Sequence, residues 1–274
     1  MEEFNEQEPT NESNSIEEEE ELTHTDKMVG VFTEPTNTFT EISQFPAKTA
    51  DWIVPLLIFI VLVNLSTILM QTNPQIKYSM VEKQMEVVQK SLDDAVKSGA
   101  MTQEQADSRS EAIREQFESG GAAMMIPQIV GTVIGVFIFF FIVSGYFFAI
   151  SKFGLKGTGT YKDAMVAYGL PLYVAMIQVI FTVILAMLMN KIITDTSIVN
   201  FIDVDKTQLL GFLMSKIDPF SIWFYAVVGV GFAKMFKSDS IGKYIGMVIG
   251  SWLIFSIIFF FIGKAVPILN FMNQ

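Results

Sequence analysis

The sequence MIPQIVGTVIGVFIFFFIVSGYFFAI at residues 125–150 decides the fold class. It contains no charged residue, and Glu118 and Lys152 are the nearest charges on either side. About 20 apolar residues at 1.5 Å rise per residue cross a hydrocarbon core of roughly 30 Å, so the segment can span a bilayer. A buried helix of a soluble protein is the alternative, but four similar apolar runs accompany this one. The stretch therefore predicts an all-α integral membrane protein that contacts the lipid bilayer.

Composition agrees with this prediction and limits the chemistry. Hydrophobic residues make up 51% of the chain and charged residues 17%, with a mean hydropathy of +0.42. The net charge of −11 comes from residues 1–26, which hold 11 acidic residues and no Lys or Arg, while the remaining 18 acidic residues are balanced by 18 basic ones. The chain has no cysteine, which excludes disulfides, thiolate metal sites and a cysteine nucleophile.

The N-terminal region divides into two segments. Residues 1–26 have almost no large apolar side chains and are predicted to form a disordered acidic tail. This tail is either a docking segment for a basic partner or a solvated tail repelled by anionic lipid. Residues 27–50 carry apolar residues at helical spacing, and Pro35 suits the first turn of a helix. They are predicted to form an amphipathic segment that lies on the membrane surface or packs on the bundle.

Residues 51–274 are predicted to form a five-span membrane domain. The expected spans lie at about 52–70, 124–150, 164–189, 219–236 and 244–263. Pro171 should kink or partly unwind the third span. Residues 73–121 form an insertion between the first two spans, with an amphipathic stripe, a break at Gly99, and a capping box at Thr102 and Gln105. We expect this insertion to be an extramembrane helical hairpin.

Closely spaced glycines indicate helix packing. They recur every fourth residue at Gly131 and Gly135 in the second span and at Gly242, Gly246 and Gly250 in the last. Small residues at this spacing allow two helix backbones to approach closely. We interpret these glycines as packing positions inside the bundle, with a homodimer face as the alternative.

Two other stretches invite functional interpretations that the sequence does not favour. Gly157 and Gly159 lack the third glycine and the Gly-Lys-Ser/Thr ending of a phosphate loop, so a flexible turn is expected. Four aspartates near the third loop have no metal-loop spacing and are expected to be ordinary solvated carboxylates: Asp195, Asp203, Asp205 and Asp218. Asp205 is also placed to cap a short surface helix. No cofactor or metal site is predicted.

The lysine distribution predicts the orientation. Two short loops each carry three lysines, namely Lys152, Lys156 and Lys162 in one and Lys234, Lys237 and Lys243 in the other. Short positively charged loops stay in the cytoplasm, so the N-terminus is expected inside and the C-terminus outside. The cytoplasmic (inner) membrane of a bacterium is the expected location.

Three short motifs resemble the Yip-one domain family. They are VFTEPTNTF at 31–39, with Pro35; TYKDA at 160–164 followed by AYGLP at 167–171, with Tyr168 and Pro171; and IDPFSIW at 217–223, with Asp218, Pro219 and Trp223. The resemblance extends over about residues 28–263. It implies five spans, a cytoplasmic N-terminus and a multi-span scaffold without a known catalytic centre. Eukaryotic relatives act in vesicle trafficking with small GTPases, but their Asp-Leu-Tyr-Gly-Pro signature is absent here.

Three classes of function follow. Catalysis is disfavoured because His24, the only histidine, falls in the predicted tail and Asp51, Asp163 and Asp218 fall at span ends. A small-solute transporter or permease subunit could use Asn64, Pro171 and Gln178 as a polar path. A non-enzymatic membrane scaffold or assembly factor, acting through other membrane proteins or a homo-oligomer and not through nucleic acid, is the preferred prediction.

Overall fold

In the computed structural model, residues 21–119, 122–202 and 204–265 are described, and this part of the chain is helical, without a strand. Residues 1–20 of the predicted tail, Asp203 of the predicted aspartate group and residues 266–274 lie outside the described part. The described helices are α1 His24–Thr33, α2 Pro35–Ile42, α3 Ala50–Gln71, α4 Pro74–Lys97, α5 Gln103–Ser119, α6 Ala122–Ala149, α7 Tyr161–Gly169, α8 Leu172–Met189, α9 Leu209–Met214, α10 Pro219–Met235 and α11 Ile241–Ala265.

Four segments have the length and hydropathy of membrane spans. They are Ala50–Gln71, Met125–Gly154, Tyr161–Met189 and Ile241–Lys264. Helix α10 is apolar but has only 17 residues, or about 25 Å at 1.5 Å per residue. The described chain is therefore an all-helical membrane protein with four candidate spans, and α10 is the segment on which the predicted count of five depends.

The third span is broken at Pro171, as the sequence predicts. Helix α7 ends at Gly169 and α8 begins at Leu172, with Pro171 as its N-cap residue. A proline in a helix lacks an amide hydrogen and clashes with the preceding turn, which explains the break. Close packing also requires a glycine here, because a Cβ atom at Gly169 would lie 2.7 Å from the Cα atom of Trp52.

Helices α1 and α2 pack on the bundle. Pro35 occupies the first turn of α2, as predicted. Val31, Phe39 and Ile42 are buried in the same hydrophobic core as the spans. Of the two arrangements that the sequence leaves open for residues 27–50, packing on the bundle agrees with these contacts.

The insertion after α3 contains two helices that contact each other. The Arg114 guanidinium donates to Glu82 over 2.6 Å, and the Ser110 hydroxyl donates to the Gln89 side chain over 3.0 Å. The predicted capping box is present at the start of α5, where Thr102 and Gln105 exchange backbone-to-side-chain hydrogen bonds of 3.0 and 3.2 Å.

The loop after α6 is packed against the bundle, so the prediction of a flexible turn is wrong. A π-helical turn, Ile150–Gly154, leads into the loop, and the Thr158 amide donates to the Phe236 carbonyl over 3.2 Å. A Cβ atom at Gly157 or at Gly159 would lie 2.8 Å from side-chain atoms of Phe236. These glycines therefore serve close packing.

Helix α10 lies at the centre of the bundle. Its buried residues are Phe224, Val227, Val228, Gly229, Val230, Gly231, Phe232, Ala233 and Met235. Helices α2, α7, α8 and α11 all contact it. The apolar helix that is too short to count among the four candidate spans thus lies between other helices of the bundle.

Candidate functional site

The first of two buried polar clusters joins the N-terminal helices to the spans. Lys27 and Asp51 are 2% and 3% exposed, and the Lys27 ammonium lies 2.9 Å from an Asp51 carboxylate oxygen. Helix α1 supplies the cation and the first turn of α3 supplies the anion. Because an isolated buried charge is costly, each of these residues depends on the other, and the pair fixes α1 to α3.

Around this pair, four further residues extend the contact. The His24 Nε2 atom lies 2.7 Å from the Tyr173 hydroxyl of α8, and His24 Nδ1 lies 3.7 Å from Asp51. Glu21 pairs with Lys48 over 2.6 Å and with Lys27 over 3.1 Å. The hydrogen bonds from Lys48 and Lys27 lower the pKa of Glu21. We call Glu21, His24, Lys27, Lys48, Asp51 and Tyr173 the N-terminal junction.

Placing His24 in a disordered tail is therefore wrong. The helix begins at His24 because Thr23 and Asp26 form a capping box. The sequence does carry this Thr-x-x-Asp signal, but the acidic run before it hides the helix start. The imidazole bridges α1, α3 and α8 through Asp51 and Tyr173.

The second polar cluster surrounds Asp218 at the start of α10. Asp218 is 1% exposed and accepts hydrogen bonds from Gln178 Nε2 at 2.7 Å and the Thr196 hydroxyl at 2.6 Å. Its carboxylate also accepts from the Thr196, Phe220 and Ser221 amides at 3.1, 3.0 and 3.3 Å. This cluster links α8, α10 and the loop between them, and the carboxylate acts as the helix cap.

Two of the predicted solvated aspartates are thus partly or fully enclosed. Besides Asp218, Asp195 is partly buried and binds Asn200 Nδ2 at 2.7 Å and Lys206 Nζ at 3.4 Å. Burial by itself raises the pKa of Asp195, but the hydrogen bonds from Ser197 and Asn200 and the charge of Lys206 together outweigh it, and the pKa is lowered. Asp205 caps a turn by accepting from the Thr207 amide at 2.8 Å; α9 starts later, with Gln208 as its N-cap residue. The described residues form no cluster able to hold a metal ion.

The five predicted packing glycines face outward within the described chain. A Cβ atom at any of them would meet no described atom within 4 Å: Gly131, Gly135, Gly242, Gly246 and Gly250. The interpretation that they pack inside the bundle is wrong for this chain alone, because their helices turn these faces away from the neighbouring helices. Close backbone contacts occur instead at Gly229, where a Cβ atom would lie 2.6 Å from Ile245 Cα, and at Gly231, where it would lie 2.9 Å from the Ala167 carbonyl oxygen.

The motif residues occupy positions that shape the fold. Pro35 starts α2, Pro171 breaks the third span, and Pro219 follows the Asp218 cap of α10. Tyr168 is buried with its ring 5.9 Å from that of Phe224. Trp223 contacts Phe32 of α1 with ring centroids 6.0 Å apart. The motifs thus set helix starts, a helix break and the contacts of α10.

A family model for the Yip1 domain matches residues 29–263. The chain belongs to the Yip1 domain family. A search of curated proteins and a search of solved structures each found no significant match. The matched range covers the second half of α1 and nearly all of α2 to α11, so it contains the Asp218 cluster and three residues of the N-terminal junction, namely Lys48, Asp51 and Tyr173.

Two cavities of this Yip1 domain lie beside the spans, and a third lies between α4 and α5. One of about 340 Å³ is bordered by the ends of α3 and α6 and by α4 and α5, with Gln71, Lys77, Gln84 and Gln128 among its lining residues. A small extension of about 10 Å³ reaches Asn64 and Thr67. Of the residues suggested for a polar path, Asn64 donates to the Ile60 carbonyl over 2.8 Å and Gln178 is bound to Asp218.

Sequence reasoning missed two features of the site. It did not pair Lys27 with Asp51, because 24 positions separate them and no periodicity connects the two helices. It also did not include Thr196, which reaches Asp218 from an irregular loop. The available signals were an Asp immediately before Pro219, which is typical of a helix cap, and a lone lysine within an apolar helical pattern.

Proposed function

We propose that this Yip1 domain protein is a non-enzymatic scaffold or assembly factor that acts through contacts with other membrane proteins or with further copies of itself. The proposal includes five spans, with α10 as the fourth, and α4 and α5 as a hairpin outside the bilayer. The lysine-rich loops after α6 and α10 support an N-terminus in the cytoplasm of a bacterium and a C-terminus outside.

One observation carries the proposal: the charged and amide groups of the N-terminal junction and of the Asp218 cluster are bound to one another. Lys27 is bound to Asp51, and Asp218 accepts from Gln178 and Thr196. Groups engaged in this way hold helices in fixed positions and are not free for proton transfer or solute binding. One of the family motifs contributes Asp218 to these hydrogen bonds. A scaffold requires helices held in fixed positions, and the Asp218 cap helps to hold them.

The unpartnered surfaces support contacts with other proteins. Along α6 and α11, glycines lie on outward faces beside exposed apolar side chains such as Ile134, Ile138 and Ile254. Lipid can cover such faces, but a second transmembrane helix fits against glycine more closely than a lipid chain does. This is the surface through which we expect membrane proteins to associate.

A small-solute transporter or permease subunit is the second candidate. The broken third span and the cavity of about 340 Å³ favour it, because broken helices build substrate sites in transporters. Against it, both amide side chains suggested for the path are already engaged, Asn64 by the Ile60 carbonyl and Gln178 by Asp218. Transport would require Gln178 to leave Asp218 in another conformation.

Crosslinking in native membranes followed by co-purification tests the scaffold. We expect specific protein partners or a homo-oligomer, which are lost when Gly135→Leu and Gly246→Leu alter the outward faces. Gly99→Asn, in the turn between α4 and α5, is the control.

Flux of a panel of small solutes into proteoliposomes tests the transporter alternative. Flux that Gln178→Leu abolishes, with no crosslinked partner, would overturn the scaffold. A cytoplasm-only reporter fused after Gln274 should be silent if the span count is five.

A further inference from the structure

Two lysine-rich loops meet at one end of the bundle. The loop after α6 carries Lys152, Lys156 and Lys162, and the connection from α10 to α11 carries Lys234, Lys237 and Lys243. The Thr158 amide donates to the Phe236 carbonyl over 3.2 Å, so the two loops touch. Lys156 and Lys237 both adopt positive φ angles, of 58° and 57°, within this paired structure. The sequence treats these as separate loops, but the fold makes them one basic surface.

Most of these lysines have no carboxylate partner. Lys234 pairs with Asp239 over 3.6 Å, and Lys237 donates to the Ser43 carbonyl. The others are exposed, and no carboxylate among the described residues forms an ion pair with them. We define the loop-lysine face as Lys152, Lys156, Lys162, Lys237 and Lys243.

The complementary charge lies in the same chain. Residues 1–20 contain nine glutamates and no basic residue. Glu21, which follows them directly, is bound to Lys48 and Lys27. Lys237 contacts Ser43, five residues before Lys48. The acidic segment therefore starts beside Lys48, five residues along the chain from the residue that contacts the loop-lysine face.

We propose that the acidic segment, residues 2–20, binds the loop-lysine face of its own chain. A flexible chain of about 20 residues has a root-mean-square span of roughly 25 Å, and a fully extended one reaches roughly 65 Å, so it can cross the end of a helix bundle. Glu21, which follows the segment, is held by Lys48 and Lys27 and so fixes the point from which the segment starts. The binding is electrostatic and decreases as salt shortens the screening length to less than about 10 Å.

The inference goes beyond the proposed scaffold function and does not depend on it. Its consequence is that the tail and an anionic ligand exclude each other at the loop-lysine face. Anionic lipid headgroups are the competing occupant, since they attract the same lysines. The experiment must therefore distinguish binding of the acidic segment to the loop-lysine face from binding of anionic lipid headgroups there.

Distance measurement between two spin labels makes this test. The chain has no cysteine, so Ser13→Cys and Ser240→Cys can be labelled specifically. Ser240 is exposed, and its backbone lies in the α10–α11 connection. The full-length protein is placed as one copy per nanodisc of phosphatidylcholine at low salt. We expect a narrow major population of short label separations in place of the broad distribution of an unrestrained segment.

Variants with equal changes in net charge show whether the loop lysines cause the short label separations. Replacing Lys152, Lys156 and Lys243 together by Gln should abolish the short-distance population, as should 0.5 M salt. The same replacement at Lys83, Lys90 and Lys97 of α4 removes equal charge elsewhere and should leave the population unchanged. A label pair at Ser13→Cys and Ser98→Cys should give only long separations.

Three results would overturn the proposal. The first is a distance distribution that is unaffected by salt and by the loop substitutions. The second is an equal effect of both triple substitutions, which would reflect net charge alone. The third is loss of the short distances in nanodiscs containing phosphatidylglycerol at physiological salt, which would mean that lipid occupies the loop-lysine face in a membrane.

Discussion

Helices α10 and α11 lie side by side, and each carries closely spaced glycines, yet the two glycine sets have opposite surroundings. In α10, Gly229 faces the backbone of α11 at Ile245, and Gly231 faces the Ala167 carbonyl of α7. In α11, Gly246 has open space at its Cβ position among the described residues. A glycine matters for stability where another backbone approaches it, and spacing along one helix does not tell whether one does.

The difference arises from what covers each helix. Helix α10 is enclosed by α2, α7, α8 and α11, while α11 buries Tyr244 and Val248 on one side and exposes Ile254 and Ile258. The N-terminal helices provide part of the cover over α10, since Phe39 is buried beside Gly231. Lys27 and Asp51 hold these helices in place.

Breaking the Lys27–Asp51 ion pair should cause the largest loss of unfolding free energy. Asp51→Ala leaves Lys27 buried without its main partner, and removing one member of a buried pair costs about 3–5 kcal/mol of unfolding free energy. We expect this loss in denaturant unfolding in detergent, together with faster hydrogen exchange in α10 as its cover loosens. The double substitution Lys27→Met with Asp51→Leu should recover most of the stability.

The exposed pair of Glu21 with Lys48 is the control for this experiment. The Lys48 side chain is 57% exposed, and Lys48→Ala should cost at most about 1 kcal/mol, since exposed ion pairs contribute little. A loss for Asp51→Ala as small as the one expected for Lys48→Ala would show that the Lys27–Asp51 pair does not hold α1 in place.

Substitution of Gly229 in α10 should cause the next largest loss of unfolding free energy. Gly229→Leu forces a side chain into the backbone of Ile245, where even a Cβ atom would be 2.6 Å from Cα. Overpacking of a tight contact costs about 1–3 kcal/mol, and we expect about 3 because the obstacle is backbone. Thermal unfolding measures the loss. An unchanged melting temperature would mean that α10 and α11 are not in contact in the membrane.

The Asp218 cap should have an intermediate effect. Asp218→Asn keeps the shape but replaces one acceptor oxygen by a donor, so either Gln178 and the Thr196 amide or the amides of Phe220 and Ser221 lose their acceptor. We expect about 1–2 kcal/mol, the usual contribution of a helix cap. Asp205→Asn, in an exposed turn, is the control and should cost less. If Asp218→Asn and Asp205→Asn lowered the unfolding free energy equally, the burial of Asp218 would contribute nothing to stability.

The sequence predicts the helices well and their neighbours poorly. The apolar runs, Pro35, the break at Pro171 and the Thr102 capping box depend on residues close in sequence, and all are present. The Yip1 family resemblance was also correct. Contacts between distant helices were missed, because neither the surroundings of Gly246 nor the pairing of Lys27 with Asp51 leaves a local pattern. The burial of Asp218 belongs to the same class, since Gln178 and Thr196 come from two other elements.

The outward glycine of α11 should give the smallest effect on the isolated chain. Gly246→Leu places a side chain in open space and adds an apolar group to a face that already carries exposed Ile254. We expect the unfolding free energy of a monomer in detergent to change by less than about 0.5 kcal/mol. Static light scattering, measured alongside the thermal melt, separates a change in monomer stability from a change in self-association.

If copies associate through the glycine face of α11, the substitution should give a folded monomer where the unmodified protein is an oligomer. If the monomer itself lost as much stability as with Gly229→Leu, then another helix of the same chain would have to lie against Gly246, and the contrast between α10 and α11 would be wrong.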